Sequence, residues 1–290
     1  MSLFQYDFML RALVGALIIG LAAPALGIYL VQRRLTLIGD GIGHVALTGV
    51  GAGLLLNRSP VLVAVVVATI GAVTIELIRA RGRTSGDLAL ALLFYGGIAG
   101  GVLLVGLSDS TSSNLNAYLF GALTTTSRTD LVTIAVLGAV VLVAMVGLRP
   151  ALFAICHDEE YARVSGLPVR ELNLLLAVIT AVTVTIAMRA VGVLLISALM
   201  VVPVAAAQQV TRGFHSTMTM AMALGLFSAG TGVWVAATAN TAPGASIVVL
   251  AIGLFLVVTL VAALLRAVRR RRVDGGSAPV AEPHEVVLHR

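Results

Sequence analysis

The chain alternates long apolar runs with short polar clusters, and the spacing of that alternation points to its architecture. Apolar runs fall at roughly 9–31, 37–56, 61–79, 88–107, 131–148, 172–189, 191–210, 216–237 and 246–267. Each approaches the ~20 residues that a helix needs to cross a bilayer core. Lipid offers the backbone no hydrogen-bond partner, so such runs span as helices that satisfy their own amides. The pattern predicts an all-α, polytopic transmembrane bundle of about nine spans, eight being possible. Residues 1–268 form the membrane domain. Residues 269–290 begin with arginines and continue Gly-, Ser- and Pro-containing, the composition of a disordered tail.

The connections orient the bundle. Five positive clusters mark them: Arg33-Arg34, Arg79/Arg81/Arg83, Arg149 with Arg163 and Arg170, Arg212, and Arg266 through Arg272. All five fall on one side if nine helices cross with the N-terminus outside and the C-terminus cytoplasmic, as the positive-inside rule requires. The opposite side receives Asn57 to Pro60, the polar stretch 108–130 and Ala239 to Ser246, with only Arg58 and Arg128, and Arg189 near a helix end. Leu115–Leu123 is too short to span and reads as an interfacial or re-entrant segment there.

Composition narrows the function classes. Of 290 residues, 59% are hydrophobic and 11% charged, against roughly 25% charged in a soluble domain. The net charge of +6 sits between apolar runs and in the tail. That placement signals topology, not nucleic-acid binding. One cysteine, Cys156, excludes an internal disulfide and any multi-cysteine metal site. The N-terminus lacks a basic region before its apolar run, so no cleavable signal is expected. No GxxxxGK[ST], HExxH or GxSxG motif occurs, which leaves the chain without a Walker-type ATP site or a hydrolase centre.

The most informative polar residues are Asp40 and His44, in Leu37-Ile38-Gly39-Asp40-Gly41-Ile42-Gly43-His44. Positions i and i+4 share a helix face, so a carboxylate and an imidazole here can hold one cation between them. An Asp at the centre of a membrane helix costs about 2.5–3.5 kcal/mol on insertion scales, and such residues mark ion pathways. The plain alternative makes Asp40 a helix N-cap and His44 a hydrogen-bonded packing residue. Two ligands are too few for zinc, which takes four, or manganese, which prefers about six. A two-fold axis would supply two Asp and two His. Other titratable groups read as unconnected to the pair: Glu76 beside Arg79, His157 in a loop, His215 at the start of the eighth span, and His284 and His289 in the tail. Small residues four apart, Gly39 and Gly43, Gly49 and Gly53, Gly97 and Gly101, suit close helix packing. Pro24 and Pro203 lie inside spans as packing kinks or hinges.

The segment from Cys156 to Pro168 is the largest polar stretch on the inner side. Asp158 can cap a short helix whose first turn carries Glu159 and Glu160; Gly166 can end it and Pro168 prevents its continuation. Such a helix lying along the membrane suits docking to a soluble partner. A solvated connector is the alternative.

These segments resemble the permease subunit of zinc and manganese ABC importers over about residues 8–265. The resemblance is carried by Arg33-Arg34, Leu37-Ile38-Gly39-Asp40 with His44, then Ala46-Leu47 and Gly49-Val50. Asp158-Glu159-Glu160 with Ala162 and Gly166, Val202 to Ala207 around Pro203, and Pro243-Gly244 add to it. One departure is Gly43, where Ser often precedes the His. The resemblance implies metal ligands at Asp40 and His44 and an ATPase-coupling helix at Asp158, Glu159, Glu160, Ala162 and Gly166. It implies a homodimer in the cytoplasmic membrane, working with a separate ATP-binding subunit and an extracytoplasmic metal receptor. The expected activity is ATP-driven import of a divalent transition metal, zinc ahead of manganese, with no permanently bound cofactor and no enzymatic centre in this chain. The competing readings are a proton-coupled secondary metal transporter and an ABC permease for a metal chelate such as a siderophore or cobalamin.

Overall fold

The computed structural model describes residues 7–80, 86–108, 118–121 and 127–274. Its long helices are α1 (Asp7–Gln32), α2 (Ile38–Leu55), α3 (Pro60–Ala80), α4 (Gly86–Leu107) and α5 (Arg128–Gly147). Two short ones follow, α6 (Arg149–His157) and α7 (Glu159–Val164), before α8 (Val169–Ala190), α9 (Val193–Val210), α10 (Phe214–Ala239) and α11 (Pro243–Asp274). No strand occurs among the described residues. Among the described residues eight helices are long and apolar enough to cross a membrane, and α9 carries a shorter apolar stretch, Leu195–Val210. Each of the nine apolar runs therefore coincides with a helix, and the eight-or-nine ambiguity resolves onto α9.

Gly192, with φ +93°, separates α8 from α9. Its missing Cβ leaves room for the backbone of Leu119 to Gly121, which lies against it. Any other residue would be both strained and blocked there. The carbonyl of Val193, the first residue of α9, sits beside Gly43 of α2, so α9 begins deep in the bundle. Of the predicted outer segment 115–123, residues 118–120 form a helical turn and 121 follows it; the remainder lies outside the described residues.

Ser127 and Asp130 form a reciprocal capping box that starts α5 three residues before its apolar run. Three helix ends close with a non-glycine residue of positive φ: Arg34 (59°), Asn57 (49°) and Asn240 (51°). At the first, the Leu35 amide donates to the Leu30 carbonyl and the Arg34 amide to the Val31 carbonyl, the paired bonds of a Schellman cap. The last helix runs to Asp274, past the end of its apolar run at 267. The tail beyond lies outside the described residues.

Helices α1, α2 and α8 are buried over most of their length, whereas α4, α5 and α11 turn apolar side chains such as Leu92, Val143 and Leu256 outward. Lipid is as apolar as Leu, so helix association here depends on close fit rather than on the hydrophobic effect. Helix α2 shows how the fit is made. On one side, Ala64, Ala68 and Ala72 of α3 are fully buried, and a Cβ on Gly49 would stand 2.5 Å from the Ala64 Cα. On the other, a Cβ on Gly97 of α4 would stand 2.6 Å from the His44 carbonyl carbon. Gly39 and Gly43 differ from these: their nearest neighbours, Met200 Sδ and the Val193 carbonyl oxygen, are 3.5 Å from an added Cβ.

Ion pairs and hydrogen bonds sort the helix ends. Arg128 and Asp7 approach to 3.7 Å where α5 and α1 begin. At the opposite end Arg33 meets Glu159, Arg149 meets His215, and Arg266 donates to the Gln209 carbonyl. There a cavity of about 440 Å³ is lined by Glu76, Glu159, Arg163 and Arg170 among others. The described members of the five arginine clusters thus gather at one end of the bundle. Arg81 and Arg83 lie outside the described residues.

Candidate metal site

Asp40 is the third residue of α2. The N-cap is Leu37, in αR conformation and without a side-chain cap bond. The capping alternative for Asp40 is therefore not what the fold uses, and its carboxylate is not spent on the helix end. Instead Oδ1 accepts a hydrogen bond from the Ser197 hydroxyl of α9 at 3.4 Å. His44 stands one turn on, with Nε2 4.0 Å from Asp40 Oδ2. The i, i+4 spacing has brought the two functional groups to one face, as expected.

The surroundings of the two residues differ. The His44 side chain is 6% exposed and that of Asp40 25%. The imidazole rests edge-on to the Phe94 ring, centroids 4.4 Å apart. Its Nδ1 is buried with no hydrogen-bond partner among the described residues, which the packing alternative, a histidine satisfied by the core, does not account for. One further turn along the same face, Thr48 donates to the Gly97 carbonyl at 2.8 Å and fastens α2 to α4. The result is a polar stripe, Asp40, His44, Thr48, on a helix otherwise apolar. Asp40 borders a cavity of about 260 Å³ whose other walls are Leu37 of the α1–α2 connection and Leu90, Ala91, Phe94 and Tyr95 of α4.

Chemically, the pair offers a carboxylate oxygen and an imidazole nitrogen across 4.0 Å. A tetrahedral zinc bound to both would bring the two atoms to about 3.4 Å, so the pair must close by roughly 0.6 Å. One cation fits between them with small rotamer adjustments. Among the described residues, no cluster of three or more His, Cys, Asp or Glu could hold a metal, so one copy provides only part of a coordination sphere.

The other titratable residues lie apart. Glu76 is buried and takes a forked pair of bonds from Arg79, Nε at 3.0 Å and Nη2 at 2.8 Å. His215, near the start of α10, bonds Arg149. His157 is not in a loop, as the sequence suggested: it is the last residue of α6, which begins at Arg149-Pro150, and its ring stacks on Phe153. Proline at the first turn of a helix costs no bond and fixes φ, which is why the run after Pro150 is helical.

The Asp158–Gly166 segment folds as its caps dictate. Asp158 accepts from the Tyr161 amide at 2.9 Å, Glu159 and Glu160 occupy the first turn, and Gly166 ends the helix at φ +80°. Ala162 is fully buried, while Tyr161 is 69% and Val164 88% exposed. Pro203 is buried inside α9. Sequence reasoning missed Ser197 and the aromatic wall of Phe94 and Tyr95. A lone serine in the apolar run Leu194 to Val202 was the available signal.

Comparison with known proteins identifies the family. The model of the ABC 3 transport family matches residues 5–262. The membrane protein ZnuB of a high-affinity zinc uptake system from Haemophilus influenzae is 29% identical over 252 residues, 87% of this chain and 97% of that one. The membrane protein MntC of a manganese transport system from Halalkalibacterium halodurans is 30% identical over 255 residues, 88% of this chain and 87% of that one. Among solved structures, PsaBC from Streptococcus pneumoniae superposes with a TM-score of 0.80 at 28% identity, covering 89% of this chain and 92% of the other. The chain is a multi-pass membrane protein and belongs to the ABC 3 transport family.

Proposed function

We propose that this chain is the membrane permease subunit of an ATP-driven importer of a divalent transition metal, zinc ahead of manganese. The observation that carries the reading is the approach of His44 Nε2 to Asp40 Oδ2, 4.0 Å on a buried helix, with the second imidazole nitrogen left unpartnered. Relatives named for zinc and for manganese transport support the class of cargo. A mixed nitrogen and oxygen site favours zinc, and manganese would draw on carboxylates and water.

The site is completed by a second copy of the chain across a two-fold axis, giving two Asp40 and two His44. Asp40 borders a cavity with Leu37 and Tyr95 at its exposed rim, so its carboxylate is reachable from outside the protomer, with His44 buried behind it. The arginine-rich end faces the cytoplasm. There α7 docks a separate ATP-hydrolysing subunit through Glu160, Tyr161 and Val164, all exposed. A receptor delivers the ion at the opposite face. ATP-driven closure then opens the inner side, and the ion leaves toward the cavity near Glu76 and Glu159.

Uptake of radioactive zinc and manganese into proteoliposomes holding the complex, with ATP inside or absent, tests this. ATP-dependent uptake that disappears in both Asp40→Ala and His44→Ala is expected. Uptake that survives ATP removal and collapses with the proton gradient would replace the reading with a secondary transporter.

A further inference from the structure

The guanidinium of Arg33 is buried, 6% exposed, where α1 passes into α2. It joins three elements. One amino group donates to Asn173 Oδ1 on α8, and the other donates to Glu159 Oε2 on α7 at 2.8 Å. Asn173 is itself buried. Glu159 is 40% exposed, and its second oxygen reaches toward Arg163 at 3.5 Å. A buried charge without its partner is strongly unfavourable, so Arg33 resists separation from Glu159.

The path from Arg33 to Asp40 has little slack. The Arg33 amide donates to Tyr29, Arg34 to Val31, Leu35 to Leu30, Ile38 to Leu35, and Gly41 to Leu37. Arg34 at φ +59° makes the reversal. Six residues therefore separate Arg33 from Asp40, and the amides of Arg34, Leu35 and Ile38 among them are held by short-range bonds. Arg79, the other cation near this end of α3, is held by Glu76.

From this geometry we infer that Arg33 is a positioning residue that transmits displacement of α7 to the Asp40-bearing start of α2. A partner that shifts α7 carries Glu159 with it. Arg33 follows to keep its charge paired, and the start of α2 moves with the connection. The inference rests on the proposed docking role of α7 and adds the residue through which that docking reaches the ion.

The experiment uses the complete complex with its ATP-hydrolysing subunit in proteoliposomes, and reads zinc transported per ATP hydrolysed. Metal-dependent ATP hydrolysis by the wild-type complex is measured first; its absence would defeat the functional reading itself, independently of Arg33. Arg33→Gln and Glu159→Gln are each expected to lower zinc transported per ATP about tenfold. Zinc affinity of the purified dimer should stay within about twofold, because neither residue touches the ion. The exchange R33E/E159R is expected to recover at least a third of the ratio, since the Asn173 amide can turn to donate. An unchanged ratio in both single variants would overturn the inference. So would a loss of zinc affinity equal to the loss of transport, which would make Arg33 merely structural. Arg33→Lys, which keeps the charge and one donor, guards against misfolding of the glutamine variant: it should hold an intermediate ratio, and a ratio as low as that of Arg33→Gln counts against charge pairing as the link.

Discussion

His44 Nε2 and Asp40 Oδ2 stand 4.0 Å apart, too far for a hydrogen bond and close enough to bridge one ion. The two groups are held at that distance from different directions. Ser197 bonds the carboxylate, while Phe94 stands edge-on to the imidazole and Gly97 packs against the His44 backbone. Removal of either proposed ligand, Asp40 or His44, is expected to cut metal uptake at least ~100-fold, beyond the 10- to 100-fold range of supporting residues. Ser197→Ala should fall inside that supporting range. Zinc binding to the purified dimer, by competition with a chromophoric chelator, checks both. Equal effects of Ser197→Ala and Asp40→Ala would mean that the carboxylate is not a direct ligand.

Gly97→Val places a branched side chain where a Cβ already meets the His44 carbonyl carbon at 2.6 Å. Overpacking of this kind costs roughly 1–3 kcal/mol. We expect a lower thermal midpoint in detergent together with weakened metal binding. Gly106→Val on the same helix, with nothing within 4 Å of its Cβ, should leave both unchanged. Gly43→Ser should also be tolerated, since its neighbours stand at 3.5 Å or more.

Arg34 holds a left-handed conformation at the end of α1, φ +59°. The left-handed region costs an L-residue roughly 1–2 kcal/mol. Arg34→Gly should therefore stabilise the α1–α2 connection by about 1 kcal/mol, seen as a rise in thermal midpoint. A fall instead would show that the Arg34 side chain itself contributes to the fold.

The single thiol, Cys156 in α6, is pushed up to about 11 by burial. Its Sγ lies 3.8 Å from the Tyr29 carbonyl oxygen, to which it donates weakly. The thiolate is the reactive form, and an ordinary thiol titrates near 9. At pH 7 the folded protein should hold about a hundredfold less thiolate than the unfolded one. Reactivity should rise about tenfold per pH unit until the folded value is reached. Maleimide labelling of native against detergent-denatured protein measures this directly, and equal rates at pH 7 would contradict it.

Gly166 closes α7 at φ +80°, a conformation proline cannot adopt. Gly166→Pro and, on the exposed face, Glu160→Lys and Val164→Asp are expected to lower metal-stimulated ATP hydrolysis by the complex severalfold while zinc binding persists. Undiminished stimulation in all three would remove α7 from the docking surface.

The spans were legible because lipid imposes a simple constraint: an apolar run of about 20 residues has one way to satisfy its backbone. The exception is instructive. The run 191–210 contains Gly192, and nothing in its hydropathy announces that Leu119 to Gly121 will pack there and delay the start of α9. Likewise, Asp40 and His44 could be paired from their spacing alone, because a helix fixes the geometry of residues four apart. Ser197 lies 157 positions away from Asp40, a contact made only by packing α9 on α2. The glycine pairs looked alike in sequence. Only the structure separates Gly49 and Gly97, pressed against backbone, from Gly39 and Gly43, which have room.

Helix α2 is gripped on both flanks by atoms that have no rotamer to yield: alanine backbone from α3 and glycine backbone from α4. Rolling α2 about its axis, or sliding it by a turn, would part it from both. Movement together with its two neighbours, as a slab of three helices, would keep both contacts. Such a movement would keep Asp40 and His44 in their mutual geometry while shifting them against α9, where Ser197 bonds the carboxylate. In the proposed dimer, occupancy would be governed by how two slabs approach each other, and not by the swing of a side chain.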